Sequence, residues 1–250
     1  MSSDIWMLCE GKSKIVKLHG LGYRIVEDQA RSSTFKLIDS EEEHELLENL
    51  LEESKPKLSE DLESLHYLLF TPFRYPPLDY GSRFGSVHER GIFYGSETIP
   101  TSLAEKAFYL FYFMSGSSAK FEPSDMWFTV FSFEYATLVA IDLTKPPFKK
   151  YEKKISDPIS YRIPKKLGSA MREAAIDAFL FISARDPKKG KNLGIFSPQA
   201  FQKKNVEDVD KTQWYSSVSQ DRMFFQRGKE THRFERSDFL VNGSFPVNLS

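Results

Sequence analysis

Arg83, Tyr94 and Glu105 are spaced eleven residues apart in turn, and their types suit a single site. Arginine offers a planar, permanently charged fork for anionic oxygens. Tyrosine offers a flat face, and glutamate a fixed negative charge that can stabilise positive charge developing beside it. Each also has an ordinary structural account. Arg83 follows Gly81-Ser82 in a turn, where arginines are usually solvated, and Tyr94 ends an apolar strand, Ile92-Phe93-Tyr94, whose ring belongs to the core. Ser102 and Glu105 have the S-x-x-E spacing of a capping box.

The elements that must position these residues are a glycine-bracketed turn, a short strand and a helix that Glu105 enters on its first turn. Leu103, Ala107, Leu110, Phe111 and Met114 repeat at helical spacing, while Phe108, Tyr109, Tyr112 and Phe113 cover the other sides, so the helix is expected to be buried. A carboxylate entering a buried helix must be paired, hydrogen-bonded or functional, since leaving it uncompensated costs on the order of several kcal/mol.

The surrounding text carries a resemblance. Gly81-Ser-Arg-Phe-Gly85, Gly91-Ile-Phe-Tyr-Gly-Ser96 and Thr101-Ser-Leu-Ala-Glu105 resemble the core of the RES domain, a family named for arginine, glutamate and serine positions. Phe181-Ile-Ser-Ala-Arg-Asp-Pro187 followed by Asn192-Leu-Gly-Ile-Phe-Ser-Pro198 resembles its second block, which places Ser183 at the family serine. The likeness covers roughly residues 71 to 235. It implies a bacterial toxin of a toxin–antitoxin pair that consumes NAD as a substrate, on an α+β fold similar to ADP-ribosyltransferases: a mixed, split β core with helices around it. It also implies roles: Glu105, Arg83 and Tyr94 catalytic, with Arg83, Tyr94 and Ser183 binding NAD. The acceptor stays open between water, phosphate and a protein side chain, the last making an ADP-ribosyltransferase, and an inactive module that binds only nucleotide or antitoxin is a further alternative. The expected partner is an Xre-type antitoxin with a helix-turn-helix, and a homodimer is possible.

Thirty-four Lys and Arg against 35 Asp and Glu give a formal net charge of −1, which argues against bulk attraction to nucleic acid or an anionic membrane. With Cys9 as the sole cysteine, neither an intrachain disulfide nor a cysteine metal site can form, and no histidine pair has metal-ligand spacing, so no metal is expected. There is no Rossmann fingerprint and no P-loop. The amino end lacks a signal-peptide pattern and no stretch approaches a membrane span, so the expected location is the cytoplasm.

Two divisions are expected: residues 1–70 as an N-terminal extension with acidic helices, and residues 71–250 as the catalytic domain. Residues 1–38 give only a Gly20-Leu-Gly22 turn. Leu46, Leu47, Leu50 and Leu51 make one helical stripe among seven glutamates, and Leu58, Leu62, Leu65 and Leu69 a second after Pro56. Thr71 to Pro77, with three prolines, reads as extended or turn structure, with Arg74 a lesser anion-binding candidate and His88 an exposed loop residue. Beyond the central helix come a loop at 115–118, strands at 126–133 and 137–143 with a bend at Glu134 and Tyr135, and an exposed run of lysines at 149–154. A helix starting at Pro164, with a stripe from Leu167 to Ala178, precedes a strand, Ala178 to Ile182, that delivers Ser183. Short strands follow around 213–217, 223–226 and 233–234, and the last ten residues are expected to be a loose tail.

Overall fold

The computed structural model describes residues 4–28, 40–116, 123–202 and 210–246. In chain order its elements are α1 (Ile5–Leu8), β1 (Val16–Glu27), α2 (Glu41–Ser54), α3 (Tyr67–Arg74), β2 (Phe93–Ser96), α4 (Ile99–Ser115), β3 (Ser124–Asp142), α5 (Glu152–Ile155), α6 (Arg162–Glu173), β4 (Ala178–Ile182), β5 (Lys191–Ile195), β6 (Lys211–Val218), β7 (Arg222–Arg227) and β8 (Glu230–Glu235). The fold is α+β: the strands form one mixed sheet in the order β1-β2-β5-β4-β3-β6-β7-β8. Only β3 and β4 run parallel among the described pairs.

β3 is the spine. The sequence suggests two strands with a bend at Glu134 and Tyr135, but residues 124–142 run as one strand of 19. The reason is β1, whose ladder from Leu18↔Thr137 to Glu27↔Phe128 passes straight through that point. Gly20 and Gly22, read from sequence as a turn, lie inside β1 opposite Tyr135 and Phe133. A Cβ on Gly22 would lie 2.4 Å from Phe133 Cζ, so glycine is there to let a ring lie across the strand. Residues 16–27, counted with the extension from sequence, are therefore part of the main sheet.

The other edge of β3 is divided, with β6 on residues 124–131 and β4 on residues 140–142. Because β1 also pairs with β2, strands β1, β2, β5, β4 and β3 close into a circuit, from which β6, β7 and β8 extend. Three apolar clusters fill the spaces around this sheet. One joins Phe93, Phe133 and Phe201 to Leu62, Leu65, Leu68 and Leu69; the second seats α4 on Phe128, Trp214 and Phe225; the third packs Phe84, Phe179 and Phe181 against Leu167 and Met171 of α6.

Several local expectations change. Leu62, Leu65 and Leu69, read from sequence as a second helical stripe after Pro56, are buried, but residues 58–66 reach them through successive tight turns, Leu62 N–H to Ser59 O and Leu65 N–H to Leu62 O, and α3 begins only at Tyr67. Pro72 falls inside α3, so Thr71 to Arg74 is helical and only the Tyr75-Pro76-Pro77 end is extended. The leucine stripe of α2 remains open, with Leu46, Leu50 and Leu51 at 60%, 55% and 42% exposure. The α4 helix is buried on one side only, and Phe113 is 80% exposed. α6 ends at Glu173, leaving Ala174, Ala175 and Ala178 outside it. At the carboxyl end Phe245 is buried and stacks on Phe108, which anchors that part of the anticipated tail, while residues 242–244 are exposed. The rest of the anticipated tail, and the 115–118 loop beyond Gly116, lie outside the described residues.

Candidate active site

Thr98 caps α4, its hydroxyl accepting from Thr101 N–H, so the helix starts one turn earlier than the S-x-x-E spacing suggests. Glu105 therefore sits in the second turn and is no cap. Its carboxylate is instead held from the loop that follows β4 and from β5: Ser183 Oγ donates to Oε1 at 2.6 Å, and Asn192 Nδ2 donates to the same oxygen at 2.5 Å. Oε2 has no hydrogen-bond partner among the described residues.

Ser183 follows directly on β4 and is fully buried. Its Oγ accepts from the N–H groups of Arg185 and Asp186, which leaves its own proton for Glu105. Asp186 then ties this loop to the start of α4: its Oδ2 accepts from Thr101 Oγ1 at 2.9 Å and from Gly190 N–H. Helix and loop are thereby fixed to each other at the carboxylate.

Tyr94 is the second residue of β2, which begins at Phe93 and does not end at the tyrosine as the sequence suggests. Its hydroxyl lies 3.0 Å from Ser82 Oγ and accepts from Phe84 N–H, gripping the arginine loop on both sides of Arg83. Burial pushes the phenol up to about 12, against those two hydrogen bonds and the nearby charge of Arg83. With the oxygen so occupied, the ring is what Tyr94 can offer a ligand.

Arg83 is 7% exposed. One guanidinium nitrogen donates to Asp157 O at 2.6 Å, and the group lies 4.5 Å above the Tyr161 ring. No carboxylate pairs with it among the described residues. The loop that carries it is clamped by α6, where Lys165 Nζ donates to Tyr80 O and Arg172 to Arg90 O. Gly168 gives α6 its closeness, since a Cβ there would lie 1.8 Å from Phe84 O.

Arg83, Tyr94 and Glu105 line one cavity of about 330 Å³, together with Arg24, Tyr109, Tyr161 and Asn192. A neighbouring chamber of about 340 Å³ shares Arg24, Ser82 and Tyr94 as its wall. The three residues singled out from sequence are thus brought together. Ser183 is not in the lining and lies behind Glu105, to which its hydroxyl donates. Arg74 donates to Pro56 O away from the cavity, and His88 is exposed outside it.

Sequence reasoning missed Asn192, Arg24 and Tyr161. Asn192 opens the later half of the second motif block, which was its only signal. Arg24 sits on β1, where two glycines interrupt the alternation that would reveal a strand. Its guanidinium donates to Tyr94 O at 2.7 Å, lies 4.7 Å over Phe93, and is lowered by burial to about 10, so it stays charged at neutral pH. Among the described residues no three His, Cys, Asp or Glu side chains are grouped to hold a metal ion, and no helix is long and apolar enough to cross a membrane.

The family model described as the RES domain matches residues 60–216. No curated protein matches the chain. Among solved structures it is similar to a chain in the crystal structure of the M. tuberculosis MbcT-MbcA toxin-antitoxin complex, at 10% sequence identity and a TM-score of 0.49, over 88% of this chain and 94% of that one.

Proposed function

The chain belongs to the RES-domain family, and on that premise we propose that it consumes NAD by cleaving the bond between nicotinamide and ribose, passing ADP-ribose to water or phosphate. The observation that carries this reading is the meeting of Arg83, Tyr94 and Glu105 on one cavity, with the carboxylate immobilised by Ser183 and Asn192.

Cleavage of that bond develops positive charge on the sugar while neutral nicotinamide departs. A carboxylate held in place before the reaction stabilises this charge without having to reorganise. Glu105 meets that requirement through Oε2, the oxygen its two protein donors leave unused. Tyr94, its hydroxyl tied back to the arginine loop, presents a ring face for the nicotinamide.

Arg83 is a buried cation whose local support is a carbonyl and a ring, so an anionic ligand would supply the missing counter-charge. A pyrophosphate does so, and Arg24 adds a second cation in the wall common to both chambers. Ser183 acts through Glu105. Family resemblance adds a helix-turn-helix antitoxin as the partner that would cover the cavity.

The test is to incubate the purified chain with NAD, with and without phosphate and candidate acceptor proteins, and to identify products by mass. Free nicotinamide with ADP-ribose, or with phosphorylated ADP-ribose when phosphate is present, is the expected result. Modified protein as the main product would reassign it as an ADP-ribosyltransferase. Intact NAD, bound but not cleaved, would leave a binding module.

A further inference from the structure

Two donors on one carboxylate oxygen do more than one. A single hydrogen bond from Ser183 would leave the Glu105 carboxylate free to turn about that contact. The second, from Asn192 Nδ2 on β5, removes the rotation and decides which oxygen faces the cavity. Asn192 is itself held. Its Oδ1 accepts from Ser96 Oγ at 2.7 Å, across the register pair Ser96↔Asn192 of β2 and β5. A carboxylate only accepts, so the amide nitrogen must face Glu105, and the serine must then donate to the amide oxygen. Ser96 and Asn192 are 3% and 4% exposed, so water does not compete for these groups.

We propose that Asn192 is the positioning residue of Glu105, oriented by Ser96, and that this relay fixes Oε2 as the one carboxylate oxygen offered to the substrate. The proposal rests on the NAD-cleaving reading and deepens it. Ser96 stands two residues beyond Tyr94 on β2, so one short strand sets both the ring and, through the relay, the carboxylate. The spacing between stacked base and charge is thus built into the strand and does not depend on loop conformation.

The experiment measures nicotinamide release by the full chain across pH, for the wild type and for Asn192→Ala, Asn192→Asp, Ser96→Ala and the Ser96→Ala/Asn192→Ala pair, with thermal unfolding run alongside. Asn192→Ala is expected to lower kcat about 10–100-fold while KM changes by less than about 3-fold, the mark of misplacement at the reacting centre. Asn192→Asp puts two carboxyl groups in contact, and they share one proton. While the proton stays, the protonated aspartate donates as the amide did; as it leaves with rising pH, activity falls along a limb the wild type lacks. Ser96→Ala is expected to cost about 3–10-fold, and nothing more when Asn192 is already alanine, because Ser96 acts only through it. Wild-type kcat in Asn192→Ala, an unchanged pH profile in Asn192→Asp, or losses that multiply in the double variant would overturn the relay. Should Asn192→Ala not fold, Ser96→Ala, which keeps every backbone pair, decides by its own loss or lack of loss. If the wild type releases no nicotinamide, the reading of the whole site falls first; release by the wild type with indifferent variants sinks the relay alone.

Discussion

At the scale of single residues, the site depends on one charge and on the groups that hold it still. Glu105→Gln keeps the shape and removes the charge, so nicotinamide release is expected to fall by about 10²–10³-fold while NAD binding, measured by calorimetry, persists. Tyr94→Phe keeps the ring and removes the hydroxyl that accepts from Phe84 N–H, at an expected cost of about 1–3 kcal/mol for the orphaned donor, read from denaturant midpoints. The same variant carries a pH signature. The folded protein holds the Tyr94 proton more tightly than the unfolded chain does, up to about 12 against an ordinary 10.0. This contribution to stability is whole below pH 10 and is lost as the pH climbs towards 12. Wild-type midpoints should decline across that interval more steeply than those of Tyr94→Phe.

At the scale of elements, some of the machinery was legible and some was not. The 3.6-residue repeat around Leu103, Ala107 and Phe111 gave away α4, and the apolar run 178–182 gave away the strand before Ser183. The start of α4 was misread because Thr98 and Ser102 both have capping chemistry, and which of them caps depends on Asp186, 85 residues from Thr101, pulling on the first turn. Asn192 was hidden for a similar reason: its role exists only when β5 lies beside β2 and beneath α4, a tertiary fact with no local pattern. α6 shows the converse. The stripe from Leu167 was visible, but it runs past the end of the helix at Glu173, and the close backbone approach, to Phe84, is made at Gly168, which the stripe did not include. Gly168→Ala should push α6 off the arginine loop, cost about 1–3 kcal/mol by overpacking, and raise the KM for NAD more than it lowers kcat. Thermal unfolding and steady-state kinetics on one preparation test both halves of that statement.

At the scale of the whole molecule, the family match begins at residue 60, yet β1, at residues 16–27, supplies Arg24 to the cavity and the long ladder to β3. A chain beginning at residue 60 should therefore lack fixed tertiary packing, seen as loss of its near-ultraviolet dichroism, because removal of β1 exposes β3 along its length. Replacing Leu46 and Leu50 of α2 by Gln should change the unfolding free energy by less than about 0.5 kcal/mol, as expected for exposed side chains.

The ring of strands β1, β2, β5, β4 and β3 has a further consequence. A sheet with a free margin can fray strand by strand, whereas a ring must break somewhere before any member comes loose. The amides of Phe93–Ser96, in a strand paired along its length with β5 and joined to β1 at Ser96↔Tyr23, should accordingly exchange with deuterium only when the entire protein opens. Any small molecule lodging against that ring then shifts the melting of the full chain as one transition, which makes a simple dye-based melting screen a direct way to find what the cavity accepts.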